Sequence, residues 1–134
     1  VSCYTTVTGD GTLELLIGTR GETRPPDIAF HALRSDGRDL FSADTGRPPV
    51  SYGAKPYSGP WDVYRIFVTR ADDGSPRIHV AFIHMHEFPT VLLTLDRTGR
   101  ILAEYWSNGY IDTVVTGTRQ GRRVWLVGAT NKSV

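Results

Sequence analysis

The chain has 134 residues, 22% of them charged and 40% apolar, with a formal net charge of +1 at pH 7. That length can bury a core without disulfide staples, and a single cysteine, Cys3, excludes an intramolecular disulfide. The near-neutral balance excludes a global electrostatic pull toward nucleic acid or an anionic membrane, and no apolar run approaches the ~20 residues of a membrane helix.

No basic, apolar, small-residue series at the start marks a signal peptide, so the compartment stays open. A chain that opens on Val1 rather than Met and closes at Val134 reads as processed or as a portion of a longer protein, with the second reading favoured. Cys3 reads as a small strand residue rather than a reactive thiol, which would need a local cation or helix terminus.

Taken in order, Tyr4 to Val7 leads through Thr8-Gly9-Asp10-Gly11 into Leu13 to Ile17, two short runs around an Asp-Gly turn that predict a β-hairpin. After a polar break at Arg20 to Pro26, Ile28 to Leu33 is apolar again. Ser35-Asp36-Gly37 turns the chain, and Leu40-Phe41 continues it. Residues 45–62 differ: Pro48, Pro49, Pro56 and Pro60 withhold ladder donors, which predicts an irregular surface excursion. A loop of that length in a compact domain is usually functional or disordered, and Tyr52, Tyr57 and Trp61 argue against disorder. Next come four apolar segments, Val63 to Thr69, Ile78 to Met85, Val91 to Leu95 and Ile101 to Trp106, separated by short breaks. They predict a four-stranded antiparallel meander over 63–108. Nowhere is an i, i+3, i+4, i+7 pattern sustained, so the whole chain reads as all-β.

The chain also matches itself. Gly11-Thr-Leu-Glu-Leu-Leu-Ile aligns with Gly74-Ser-Pro-Arg-Ile-His-Val, and Leu33 to Leu40 aligns with Leu95 to Leu102 at nearly the same offset. A third copy starts at Gly121. The predicted unit is roughly 45 residues of four strands, the size of one propeller blade. The reading is one repeat domain over 1–134: unit one at 3–44, an insertion at 45–62, unit two at 63–108 and a partial unit three at 110–131. Two and a half blades leave open edges, which a missing remainder of the chain, blades from a second copy, or curling into a compact sandwich would each cover.

These units resemble FG-GAP or VCBS repeats, the propeller-forming repeats related to those of integrin α-chains. The resemblance rests on Asp10-Gly11-Thr-Leu-Glu14 and Asp73-Gly74 for the turn, Asp96-Arg-Thr-Gly99 for the later hairpin, and Val127-Gly128-Ala-Thr-Asn131 for the small-residue strand end. It implies blades of a partial or assembled β-propeller. In that family spaced aspartates can hold calcium, which needs about 6 to 8 oxygen ligands. Here the corresponding positions are Thr6, Thr8 and Asp10; Thr69, Ala71 and Asp73; and Thr116, Thr118 and Gln120. With at most one carboxylate per turn, Asp10 and Asp73 are expected to stabilise their turns through local bonds instead.

Candidates for chemistry are few. Strand alternation places His84 and His86 on one face with Glu87 just beyond, a pair that can share a zinc or copper ion. His79 has the opposite parity, and no nucleophile stands beside the pair. Tyr105, Trp106, Tyr110 and Trp125 read as packing aromatics, with a sugar- or peptide-binding platform as the functional alternative. Arg119, Arg122 and Arg123 read as a solvated turn rather than a nucleic-acid site. No P-loop, Rossmann glycine series, Gly-x-Ser-x-Gly or paired-cysteine motif occurs.

The sequence therefore points to a non-catalytic binding or interaction module. Its expected ligand residues are Tyr52, Tyr57, Trp61, Glu87 and Phe88, meeting a protein or small ligand through loops. One alternative is a small metal-dependent enzyme centred on His84 and His86. The other is a structural assembly domain that pairs with copies of itself through open blade edges.

Overall fold

The computed structural model describes residues 2–7, 13–18, 30–43, 50–52, 55–57, 61–84 and 89–131, which are antiparallel β-structure with no helix among them. A first sheet contains β1 (Ser2–Val7), β2 (Leu13–Gly18), β3 (Phe30–Arg34) and β4 (Asp39–Ala43), each paired with the next. A small hairpin, β5 (Val50–Tyr52) with β6 (Lys55–Tyr57), follows. A second four-stranded sheet contains β7 (Trp61–Arg70), β8 (Pro76–His84), β9 (Thr90–Leu95) and β10 (Ile101–Ser107), again in sequential order. The last element is a long hairpin, β11 (Gly109–Arg119) with β12 (Arg122–Asn131).

The second sheet is the middle layer. On one face Ile66, Ile78, Val80, Phe82, Val91, Leu93 and Leu95 pack with Phe30 and Ala32 of the first sheet. On the other, Ala81 and Leu92 pack with Ile111 and Val114 of the closing hairpin. This explains why β8 and β9 are buried nearly throughout: a strand covered on both faces has no solvent side. Each fully buried side chain of this size contributes about 1.5–3 kcal/mol. At one margin, β1 and β11 both lie beside β7, so the first strands of successive sheets are neighbours.

Three connections share one turn geometry. In 34–38, 71–75 and 96–100, the first residue's N–H donates to the fifth residue's carbonyl at 2.8, 2.9 and 3.0 Å. The fourth residue, Gly37, Gly74 or Gly99, donates back to the first at 2.9–3.1 Å. Those glycines have φ of 82°, 77° and 85°, the left-handed region that glycine enters without steric cost. The turn at Gly11 lies outside the described residues.

The excursion at 45–62 departs from expectation. Val50–Tyr52 pairs with Lys55–Tyr57, and Pro56 sits opposite Ser51. A two-stranded ladder tolerates proline because a missing donor can point away from the partner. The middle sheet also begins earlier than the apolar pattern indicates, since Trp61 and Asp62 pair with His84 and Ile83.

Candidate functional site

Trp61 opens β7 directly opposite His84, the last residue of β8, and such cross-strand neighbours share a face and touch. Their rings meet edge-to-face with centroids 5.1 Å apart at 80°. Tyr57, ending β6, meets the same imidazole at 5.4 Å and 66°. Trp106 on β10 closes the row against Trp61 at 5.7 Å and 74°, and its indole N–H donates to the Glu104 carboxylate at 2.5 Å. Edge-to-face pairs contribute about 0.5–1.5 kcal/mol each beyond area burial. Trp61 and His84 are buried, at 7% and 5% exposure, whereas Tyr57 and Trp106 keep part of their surface in solvent. The His84 N–H donates to the Pro89 carbonyl at 2.9 Å, tying β8 to the start of β9.

Four of the residues singled out from the sequence, Tyr57, Trp61, His84 and Trp106, thus stand in one cluster. Trp61 reaches it as a buried strand residue rather than a loop residue. Tyr52 lies on β5, and His86, Glu87 and Phe88 lie outside the described residues. Among the described residues no group of three or more His, Cys, Asp and Glu gathers in a metal-binding arrangement.

The turn aspartates are occupied locally. Asp73 accepts from the Ser75 N–H at 2.9 Å and from its hydroxyl at 2.5 Å. Asp96 accepts from the Thr98 N–H at 2.8 Å, the Thr98 hydroxyl at 2.6 Å and the Arg100 N–H at 3.1 Å. The bonds from Ser75 and from Thr98 hold both carboxyls below the ordinary aspartate pKa. Asp10 lies outside the described residues. In the Arg119–Arg123 tip, Arg123 acts as a clamp. Its Nε lies 2.8 Å from Asp72, and its Nη1 donates to the carbonyls of Arg70 and Ala71 at 2.7 and 2.8 Å. Beside it a shallow cleft of about 330 Å³ opens between Arg77, Leu102, Arg123 and Trp125.

A buried polar group on the other face of the same sheet was not singled out from the sequence. His79 is fully buried, its Nε2 2.8 Å from the Thr69 hydroxyl and its Nδ1 2.9 Å from the Thr94 hydroxyl. A neutral ring satisfies both contacts by donating through one nitrogen and accepting through the other. Trp125 of β12 covers the imidazole edge-to-face at 5.0 Å. Burial, and secondarily the Arg77 charge, lower its pKa from 6.5 to about 4. The signal in the sequence was a histidine flanked by Ile78 and Val80 in a mostly apolar run, with threonines on the strands to either side.

Comparison with protein-family models, with curated proteins and with solved structures gives no match to this chain.

Proposed function

We propose that the chain is a non-catalytic binding module built from propeller-type repeats, working through the aromatic cluster at the β8 end of the second sheet. The observation that carries this reading is the convergence of Tyr57, Trp61, His84 and Trp106. The inner pair is buried and fixes the geometry, while the outer pair keeps aromatic surface in contact with solvent. Rigid aromatics at a partly wet rim suit the apolar face of a sugar or an extended peptide, because they bind with little loss of rotamer freedom. The blade reading draws on the adjacency of β1, β7 and β11 and on the matching turns at 34–38 and 96–100, which are equivalent in the repeat.

The test is a panel of soluble oligosaccharides and extended peptides followed by NMR. A ligand should shift the Tyr57, Trp61, His84 and Trp106 resonances, and Trp106→Ala should weaken it at least tenfold with the fold intact. A ligand that binds equally to Trp106→Ala, or that shifts only residues elsewhere, overturns the proposal.

A further inference from the structure

We propose that His79 is an acid-sensitive latch: neutral, it holds the β11–β12 hairpin against the second sheet, and protonation releases the hairpin and uncovers the sheet face beneath. The geometry is that of an interface between two layers. His79 lies at the centre of β8, pinned between Thr69 on β7 and Thr94 on β9, and the hairpin covers it with Trp125. Elsewhere among the described residues, Ile111, Val114 and Val127 pack on Ala81, Leu92 and Phe67, Tyr64 of β7 meets the Tyr110 ring and donates to Asp112, and Arg123 clamps the β7–β8 turn.

Among the described residues the charge that acts on His79 is that of Arg77, which gives a protonated ring no counterion. On β8 the neighbour on the same face toward the turn is Arg77, and on β12 it is Arg123, both cations. Within β7 and β9 the groups against the ring are the threonine hydroxyls. On β11, the residue paired with Trp125 is Thr116. Described carboxylates on these elements and their turns are engaged elsewhere, Asp72 by Arg123, Asp73 by Ser75, Asp96 by Thr98 and Arg100, and Asp112 by Tyr64 and Thr130. An imidazolium here has lost its water and stands near the Arg77 charge, so the docked state disfavours it. Once the hairpin lifts, the ring meets water and regains its ordinary affinity for a proton. The core shared with the first sheet lies on the opposite face and keeps the second sheet folded.

The sign follows from linkage. A histidine whose pKa is lowered in the docked state favours docking fully above pH 6.5 and loses that contribution as the pH falls to about 4. Between pH 7 and 4.5 the docking equilibrium should weaken by close to two orders of magnitude.

The experiment is amide hydrogen exchange on the whole chain across that range, corrected for the intrinsic pH dependence of exchange. Amides of Gly109–Asn131 should open close to two orders of magnitude more often at pH 4.5 than at 7, while those of β8 and β9 change little. His79→Gln, which donates and accepts without titrating, should abolish the difference. In the unmodified chain the His79 ring should titrate near pH 4 by NMR, a readout that does not depend on the variant folding. A ring titrating near 6.5, a hairpin indifferent to pH, or β8 and β9 opening together with it would each overturn the latch.

Discussion

Toward the first sheet, β8 and β9 present Ile78, Val80, Phe82, Val91, Leu93 and Leu95, with His84 at the end, whereas on the opposite face the same two strands carry Arg77, His79, Ala81, Ile83, Thr90, Leu92 and Thr94. The difference is one of register parity alone, since consecutive residues of a strand face opposite ways. The first face is large, branched and apolar, and its cohesion comes from area removed from water. The second is smaller and carries four of the five buried polar side chains among the described residues, Thr69, His79, Thr90 and Thr94. Cohesion there depends on hydrogen bonds being satisfied, and an unsatisfied group costs more than a satisfied one contributes. One sheet thus bears a permanent interface on one side and a conditional one on the other.

The largest expected effect tests the apolar face. Phe82 is fully buried at its centre, so Phe82→Ala should cost about 3–5 kcal/mol in urea unfolding. A loss below about 1 kcal/mol would mean that this face is not the main core. Next comes acid. His79 alone should remove about 3 kcal/mol of stability as the pH falls from 6.5 to about 4, because the unfolded chain binds the proton more readily. The Asp73 and Asp96 contributions should fade separately, below the ordinary aspartate pKa, because their pKa values are lowered and their stabilisation requires the charged form. Chemical denaturation at half-unit pH steps resolves the two ranges, and a stability flat from pH 7 to 4.5 would remove the contrast between the faces.

A third change tests how the first sheet is held. A Cβ on Gly99 would stand 2.5 Å from the Phe41 ring, and Gly99 has φ of 85°. Gly74 has nearly the same backbone conformation, with open space around it. Gly74→Ala should cost about 1–2 kcal/mol for the left-handed conformation alone, and Gly99→Ala roughly 1 kcal/mol more for overpacking against Phe41. Equal losses in thermal unfolding would mean that Phe41 yields freely and that the turn does not brace the first sheet.

What could be read in advance followed from local rules. The meander of β7 to β10 was legible because apolar runs alternate with Gly-bearing turns, and the turn aspartates because short acceptors bond to nearby N–H groups. The opposite parity of His79 and His84 was legible from strand alternation. The β5–β6 pairing was not, because Pro48, Pro49, Pro56 and Pro60 outweighed any strand signal and a two-stranded ladder needs few donors. The junction of Tyr57, Trp61, His84 and Trp106 was legible only as separate aromatics and a histidine, since packing across sheet and hairpin joins them. His79 was visible as a residue but not as a buried one. Its burial depends on a hairpin some forty residues away laying Trp125 over it.

The smallest effect carries the opposite sign. Thr90 is fully buried on the hairpin-facing side, and among the described residues its hydroxyl has no hydrogen-bond partner. Its neighbours in the ladder, Ile83 and Ser107, hold the backbone in register, so a side chain of the same shape fits without rearrangement. Thr90→Val removes the orphaned hydroxyl, keeps the β-branch that suits a strand and should stabilise the fold by about 1 kcal/mol in urea unfolding. The same exchange at Thr94, whose hydroxyl meets His79 at 2.9 Å, should destabilise by a similar amount. If both variants moved the same way, burial alone would govern this face. Opposite signs at two threonines on one strand would show that hydrogen-bond satisfaction sets the strength of the hairpin's attachment.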